Sequence, residues 1–404
     1  MKIGIIDAEI IGKSKHRFPN LCCMKLSSYH KNNEDDVSLL LSYDNLNDYD
    51  KVYISKVFTN TRVPEEVLSL PNVSYGGTGF FYDKAPSLPM EIEHIMPDYH
   101  LYDEWVSEKM QKGVKRTEFK YYLDYSIGYL TRGCFRGCEF CVNRNYKCSH
   151  EASPLCEFMD RSRPKLCFLD DNFFSYPKWR ELITPVIESG KRFQFKQGLD
   201  ERLLTVEKII ALSEWKYDGE IIFAFDNIDD KELIVSKLEL IKKTAPLWRR
   251  ELKFYVFCGW DRNNQYNEDF WKQDIEDMFE RITILRAYKA KPYIMRFEKV
   301  YSSEYSSFYA AVAAWCNQPS IFNSFSFKLF SQCRGMRRNG YSKFKRDVEG
   351  YLQEIGFKGS EWRAMEEISD KYPEIAQKYF DVDNGSDLSP WRNLGSKLLS
   401  EVGV

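Results

Sequence analysis

Long apolar runs are missing from this 404-residue sequence; none approaches the roughly 18–20 residues that a membrane-crossing helix needs. The opening MKIGIIDAEIIGK lacks the basic region and small-residue cleavage site of a secretion signal. A cytoplasmic protein with no membrane partner is therefore expected. An excess of one charge is missing too, because 58 Lys and Arg stand against 60 Asp and Glu for a formal net charge of −2. No overall field then draws the chain to nucleic acid, although a local basic patch still can. Histidine is scarce, with five in all, and His16, His94, His100 and His150 sit in no Cys/His or Ser/His constellation. Solenoid repeats and low-complexity tracts are absent. What is present is the composition of a folded protein, 43% hydrophobic and 29% charged, long enough for two or three domains.

Cysteine is not scarce. The chain has 11, an odd number whose spacing, without a secretion signal, does not suggest a disulfide framework. Cys134, Cys138 and Cys141 crowd together. Cys22, Cys23, Cys148, Cys156, Cys167, Cys258, Cys316 and Cys333 are dispersed, mostly in apolar surroundings that suit a small buried hydrophobe.

Strand and helix patterns alternate along most of the chain. Lys2–Asp7 reads as a buried strand, Leu21–His30 as a helix, and Val37–Leu41, Lys51–Ser55 and Val73–Tyr75 as short strands, the last running into Gly76-Gly77-Thr78-Gly79. Together they predict a small parallel sheet with helices packed on it. Residues 80–120, richer in Pro, Asp and Glu, read as a linker or irregular connection. A more regular alternation follows, with strands expected at Ser126–Leu130, Leu166–Leu169, Phe193–Lys196, Glu220–Phe225, Leu252–Phe257 and Ile282–Leu285. Helices at Glu181–Glu188, Val206–Trp215, Lys231–Lys243 and Asp269–Glu280 fill the gaps. Six βα units in series predict a partial parallel barrel whose loops gather at the strand C-terminal ends. Beyond Pro292–Arg296 the chain turns helical, with a helix capped by Ser342 and closed at Gly356. The expected fold is α/β: a Rossmann-like N-terminal domain (residues 1–118), a partial (β/α)6 TIM-type barrel (119–300) and a helical C-terminal extension (301–404).

The sharpest chemical signal is Thr131-Arg132-Gly133-Cys134-Phe135-Arg136-Gly137-Cys138-Glu139-Phe140-Cys141. The spacing C-x3-C-x2-C lets one loop fold three thiolates around an inorganic cluster, and the two glycines let its backbone approach the metal closely. A cubane has four iron corners. Three protein ligands leave one corner open for a small molecule. A closed zinc site would require a fourth ligand, for which His150, Cys148 and Cys156 are the nearest candidates. The spacing of Cys148, Cys156 and Cys167 matches no second-cluster pattern.

At these residues the sequence resembles the radical S-adenosylmethionine (SAM) enzymes, whose C-x3-C-x2-C loop follows the first barrel strand. The resemblance covers roughly residues 120–300. It implies that Cys134, Cys138 and Cys141 hold a [4Fe-4S] cluster whose open iron is chelated by SAM. It also implies that Phe140 packs near adenine, and that an electron donor such as a flavodoxin or ferredoxin drives formation of a 5′-deoxyadenosyl radical. Leu169-Asp170-Asp171-Asn172 stands where the family carries an acidic motif for the SAM amino group. The exchange of the commoner Gly-Gly-Glu for Asp170, Asp171 and Asn172 resembles members with a cobalamin-binding-like domain, and paired carboxylates can accept from an ammonium group. Read alone, the same three residues are ordinary turn chemistry. Gln197, Asp200, Arg202 and Asp226 lie at later strand ends, which face the mouth of a barrel, and are candidates for SAM or substrate contacts. Asp200 and Arg202 equally suit a structural ion pair. Gly259 would let adenine approach closely.

The N-terminal pattern is similar to the cobalamin-binding domain that precedes the barrel in one branch of this family, through its opening strand, the Pro19-Asn20-Leu21 helix start and Gly76-Gly77. The cobalt-ligating D-x-H-x-x-G motif is absent; the nearest string, Ser28-Tyr29-His30-Lys31-Asn32-Asn33, lacks its Asp and Gly. Cobalamin stays a possible cofactor on the resemblance alone. Near the C-terminus, Lys328, Arg334, Arg337, Arg338, Lys343, Lys345 and Arg346 interleave with Phe327, Phe330, Tyr341 and Phe344, a pattern that can bind phosphates and stack bases or simply form a solvated face. The leading expectation is an enzyme that abstracts hydrogen from an unidentified substrate. The alternatives are a cobalamin-dependent methyltransferase, a nucleic-acid-modifying radical SAM enzyme, and a non-catalytic iron–sulfur or zinc-binding interaction protein.

Overall fold

A computed structural model describes residues 1–248, 250–333 and 359–401. The chain is a mixed α/β protein with parallel sheets and many helices. No described helix is long and apolar enough to cross a membrane. It divides into two compact units, Met1–Gly198 with Trp215–Asp218, and Leu199–Glu214 with Gly219–Val404.

In the first unit, Lys2–Asp7 forms β1. Its residues from Ile3 onward are all buried, as expected of a strand covered on both faces. The helix Leu21–Asn32 (α1) follows, started by Asn20, whose Oδ1 accepts from the Cys23 N–H at 3.3 Å. Asp36–Leu39 (β2) and Lys51–Ser55 (β3) flank β1 in parallel, and Val73–Gly76 (β4) adds to β3. The sheet order is β2-β1-β3-β4, so the chain reverses its winding between β1 and β3.

The stretch 80–120 is not the irregular connection expected from its Pro, Asp and Glu. It contains the helix Asp103–Gln111 (α2), and Tyr99, Tyr102, Trp105 and Phe119 are buried in one apolar cluster with Ile3, Ile5, Tyr125 and Ile127. Aromatic side chains bury enough area to order a segment whose polar residues alone suggest a linker. The expected join at 118–119 lies within this cluster.

Tyr125–Gly128 (β5) leads into two short strands, Thr131–Arg132 (β6) and His150–Glu151 (β7), which pair antiparallel. Lys165–Phe168 (β8) and Arg192–Phe195 (β9) complete a parallel sheet of order β5-β8-β9. The helix Trp179–Glu188 (α3) connects its last two strands.

In the second unit, Ile221–Ala224 (β10), Leu252–Cys258 (β11) and Lys291–Arg296 (β12) form a parallel sheet of order β10-β11-β12. Helices Val206–Glu214 (α4), Lys231–Thr244 (α5) and Glu268–Ala287 (α6) accompany it. The strand expected at Ile282–Leu285 is the last turns of α6, and the strand itself comes after, at Lys291–Arg296. Asn267 caps α6 by accepting from the Phe270 N–H at 2.9 Å. Ile275, Met278, Phe279, Ile282 and Leu285 are all buried at helical spacing, so a short apolar run that looks like a strand belongs to a helical face.

The described residues beyond β12 are largely helical, including Ser306–Cys316 (α7), Phe327–Cys333 (α8), Ser360–Lys371 (α9) and Ser389–Glu401 (α10). The helix expected between Ser342 and Gly356 lies outside the described residues. So do Arg334, Arg337, Arg338, Tyr341, Lys343, Phe344, Lys345 and Arg346. Phe327 and Phe330 are 0% and 2% exposed, which corrects the expectation that they stack bases. Lys328 is ion-paired to Asp381 at 2.7 Å.

Candidate functional site

The three clustered cysteines sit on one closed loop of the first unit. Its neck is the β6–β7 pairing, continued by Ala152 N–H to Leu130 O at 2.9 Å and Ser153 N–H to Tyr129 O at 3.2 Å. The loop between these short strands starts at Gly133. Its φ of +89° and the Cys148 carbonyl oxygen, which would lie 2.5 Å from a Cβ, both require glycine. Gly137, at φ +61°, makes the turn between the first two cysteines.

Asp170, Asp171 and Asn172 follow β8 and grip this loop at three levels. Asp170 is fully buried and accepts from Leu130 N–H at 3.1 Å, Thr131 N–H at 2.7 Å and the Thr131 hydroxyl at 2.7 Å, which fixes the neck. Asp171 accepts from Gly133 N–H and from Asn143 Nδ2, each at 2.7 Å, and so ties the entry of the loop to a residue just past the third cysteine. Asn172 Nδ2 donates to Cys134 Sγ at 3.3 Å. Burial pushes the Asp170 carboxyl up to about 7, against its hydrogen bonds from Thr131 and Leu130. It raises Asp171 as well.

Cys134, Cys138 and Cys141 are all half-buried, free thiols, and Phe140 beside them is half-buried. The Cys141 N–H donates to Cys138 O at 2.9 Å, and Asn143 N–H donates to Cys141 Sγ at 3.4 Å. Burial pushes the Cys141 thiol up to about 11; the Asn143 N–H opposes the rise, and nearby Cys138 and Cys134 add to it. Such a thiol stays protonated at neutral pH and ionises readily only when a cation compensates it. As the chain stands, no three His, Cys, Asp or Glu among the described residues are gathered into a metal-holding group. The donor set nevertheless fits an iron–sulfur cluster in kind. It offers three accessible soft ligands on one loop, with N–H groups donating to two of the sulfurs as they do around protein-bound clusters. His150, Cys148 and Cys156, the zinc alternatives, are exposed.

The other residues predicted for the site are distributed. Gln197 is exposed just beyond β9, in the first unit. In the second unit, Asp200 Oδ1 pairs with Arg202 Nε at 2.7 Å and Arg202 Nη1 with Asp230 Oδ2 at 2.7 Å, so the structural ion pair is formed. Asp226 Oδ1 accepts from Phe257 N–H at 3.1 Å. Burial raises its carboxyl to about 6, with Arg281 pulling the other way. Gly259 has φ +77°, and a Cβ there would stand 2.0 Å from Val300 Cγ2. The close approach that this glycine permits is that of Val300.

Several residues were not foreseen. Arg281 is 2% exposed, and its Nη1 donates to the carbonyl oxygens of Phe225, Asp226 and Phe257 at 2.8–2.9 Å. Glu201 is 1% exposed; its Oε2 accepts from Ala224 N–H at 3.3 Å, and burial pushes its carboxyl well up. Asn143, a polar residue two places after Cys141, was the one with a readable signal.

The N-terminal sheet can be tested against cobalamin in the same way. His30 is buried, with Nδ1 on Asp35 at 2.7 Å and Nε2 on Tyr53 at 3.1 Å, so neither ring nitrogen is open to cobalt. Where the winding reverses, the Glu9 carboxylate fills the space past β3, accepting from Val57 and Phe58 N–H at 3.1 and 3.0 Å and from the Thr61 hydroxyl at 2.7 Å. His30 therefore does not fit the part of a cobalt-ligating histidine. Compared with known proteins, the chain matches no family profile and no curated protein.

Proposed function

We propose that this chain is a radical SAM enzyme in which Cys134, Cys138 and Cys141 hold a [4Fe-4S] cluster. The observation that carries the reading is the grip of Asp170, Asp171 and Asn172, at the end of one parallel strand, on a three-thiol loop that follows the neighbouring parallel strand. On this reading the N-terminal sheet is Rossmann-like, and the six later parallel strands belong to a partial (β/α)6 barrel. Bound there, the cluster would supply one electron for reductive cleavage of SAM to a 5′-deoxyadenosyl radical that takes hydrogen from a substrate.

The chain's own residues have separable tasks. Asp170 cannot also serve an incoming ammonium group, because it is fully buried and both its oxygens accept from the loop neck. It is a positioning residue. Asp171 accepts one bond on each oxygen and keeps further lone pairs, so it is the carboxylate of the motif left to meet the SAM amino group. Asn172 and the Asn143 N–H withdraw charge from the sulfurs of Cys134 and Cys141, which favours the reduced form of a cluster.

The test is anaerobic loading of the full chain with iron and sulfide, followed by dithionite and SAM. The expected result is an iron–sulfur absorbance and release of 5′-deoxyadenosine, both lost in Cys138→Ala. Release no greater than in that variant would overturn the proposal, and stoichiometric zinc in anaerobically purified protein would favour a binding module instead.

A further inference from the structure

The end of the N-terminal sheet reaches the cysteine loop through a short segment to which the proposed chemistry assigns no part. β4 ends at Gly76, and the chain turns through Gly77, at φ +105°, where a Cβ would stand 2.3 Å from the Lys56 carbonyl oxygen. The Gly79 N–H donates to that same oxygen at 3.0 Å, and the Thr78 hydroxyl donates to Val57 O at 3.0 Å. The base of the segment is thereby stapled to the chain just past β3.

Its tip bends sharply. Tyr82 adopts φ +41° and ψ −102°, a conformation costly for any residue with a Cβ, which persists only where surrounding contacts enforce it. The Tyr82 N–H donates back to Thr78 O, and the side chains of the tip reach the cysteine loop. The Tyr82 hydroxyl donates to Phe140 O at 2.5 Å. The Asp83 carboxylate accepts from Arg144 Nε at 2.7 Å and from Asn145 Nδ2 at 3.1 Å, and the Asp83 carbonyl takes a second bond from Asn145 at 3.1 Å. Arg144 closes the arrangement by donating from Nη1 to Glu139 O at 3.0 Å. The chain is therefore gripped immediately before Cys141 and again three residues after it. The Asp83 side chain is 8% exposed and that of Arg144 42%, so the pair lies at the surface with its carboxylate turned inward.

We propose that Tyr82 and Asp83 are positioning residues that clamp the turn 139–145 and hold Cys141 in place for its metal. The inference rests on the metal-holding role assigned above to Cys134, Cys138 and Cys141. It makes the edge of the N-terminal sheet a working part of the cysteine loop rather than a remnant. A strained backbone stays bent only while its partners hold, so loss of Asp83 should release both sides of Cys141 together.

The decisive measurement uses the metal-free full-length protein, with N-ethylmaleimide labelling of each cysteine followed by peptide mass spectrometry. In Asp83→Asn, Cys141 labels about five-fold faster than in the parent, the effect expected for losing one charge-assisted contact that restrains local opening. Exposed Cys156 and buried Cys167 keep their rates. Tyr82→Phe gives a smaller rise at the same thiol, and the exchanged pair Asp83→Arg with Arg144→Asp restores part of the protection. After iron and sulfide loading, Asp83→Asn loses iron to a chelator faster than the parent. Equal Cys141 labelling in the parent, Asp83→Asn and Tyr82→Phe would overturn the clamp. A rise at Cys141 matched at Cys167 would overturn it as well, since it would report opening of the whole unit. Failure of the parent itself to take up iron and sulfide would instead count against the metal-holding role, and the labelling comparison would still decide the clamp.

Discussion

Two strand ends in this protein are secured by opposite charges. Past β5, the buried carboxylate of Asp170 collects two N–H groups and a hydroxyl from Leu130 and Thr131. Past β10 and at the end of β11, the buried guanidinium of Arg281 collects the carbonyl oxygens of Phe225 and Asp226 and of Phe257, the penultimate residue of β11. Both devices satisfy main-chain groups that a parallel strand leaves orphaned at its end. They differ in what they leave open. Around Asp170 the chain goes on to a loop with three half-buried thiols; around Arg281 it closes, with Val300 packed on Gly259 and Asp274 accepting from the Gly259 N–H at 2.9 Å. The carboxyl at the neck borders a loop of half-buried soft donors, whereas the guanidinium serves a region sealed by packing.

The comparison breaks most visibly at Arg281. Arg281→Met strands three carbonyl groups and removes the positive charge facing half-buried Asp226 and Asp274. A loss of about 3–5 kcal/mol is expected, read as a lower urea midpoint in the second unit. Arg281→Lys should recover part of it, since charge returns without the planar fork. An unchanged midpoint in the Met variant would mean that the carbonyl groups find other partners.

Asp170→Ala should cost less, about 2–4 kcal/mol, because two buried N–H groups lose their acceptor. Its signature is local. Amide exchange at residues 130–133 should accelerate, and the cysteine loop should loosen at its neck. Exchange in β10 and β11 should stay as in the parent.

How far each region could be read from sequence follows from the same contrast. The cysteine triplet and Asp170-Asp171-Asn172 were legible because each is a short contiguous motif after an apolar run, and strand ends are where such residues act. Their mutual grip was not, since hydrogen bonds between residues about forty positions apart leave no local trace. Arg281 was hidden more thoroughly. It adjoins Ile282-Thr283-Ile284-Leu285, a run whose apolar density imitates a strand, so the helix reads as ending before Arg281 and Arg286, both of which are buried on it. The regular βα pattern was readable in five of the six later strands because their apolar runs are bounded by turn residues. The packed stretch 80–120 was obscured by its Pro and acidic residues, although Tyr99, Tyr102 and Trp105 were in plain view. The clamp at Tyr82 and Asp83 joins segments about sixty residues apart and carries no motif at all.

The mildest test is protonation, and it separates the two strand ends without mutating either. Burial raises Asp170 to about 7, with only hydrogen bonds from Thr131 and Leu130 opposing it; Asp226 is raised by burial to about 6, with Arg281 opposing. On acidification Asp170 should therefore take its proton first, and carboxyl NMR titration should resolve the order. Asp7, buried beside Tyr102 and raised to about 7 by burial, should titrate near Asp170. The sign of the effect on stability follows directly. Between about pH 4 and 7 these carboxyls hold protons in the folded chain that the unfolded chain has released, so stability falls as pH rises through that window and levels off above it. Each group contributes a slope of up to about 1.4 kcal/mol per pH unit. Asp7→Asn, whose amide can still accept from the Glu9 N–H, should remove one such slope from urea midpoints measured between pH 5 and 8. Asp226 protonating ahead of Asp170 would show that Arg281 does not balance the charge it faces, and the contrast between the two strand ends would then reduce to packing alone.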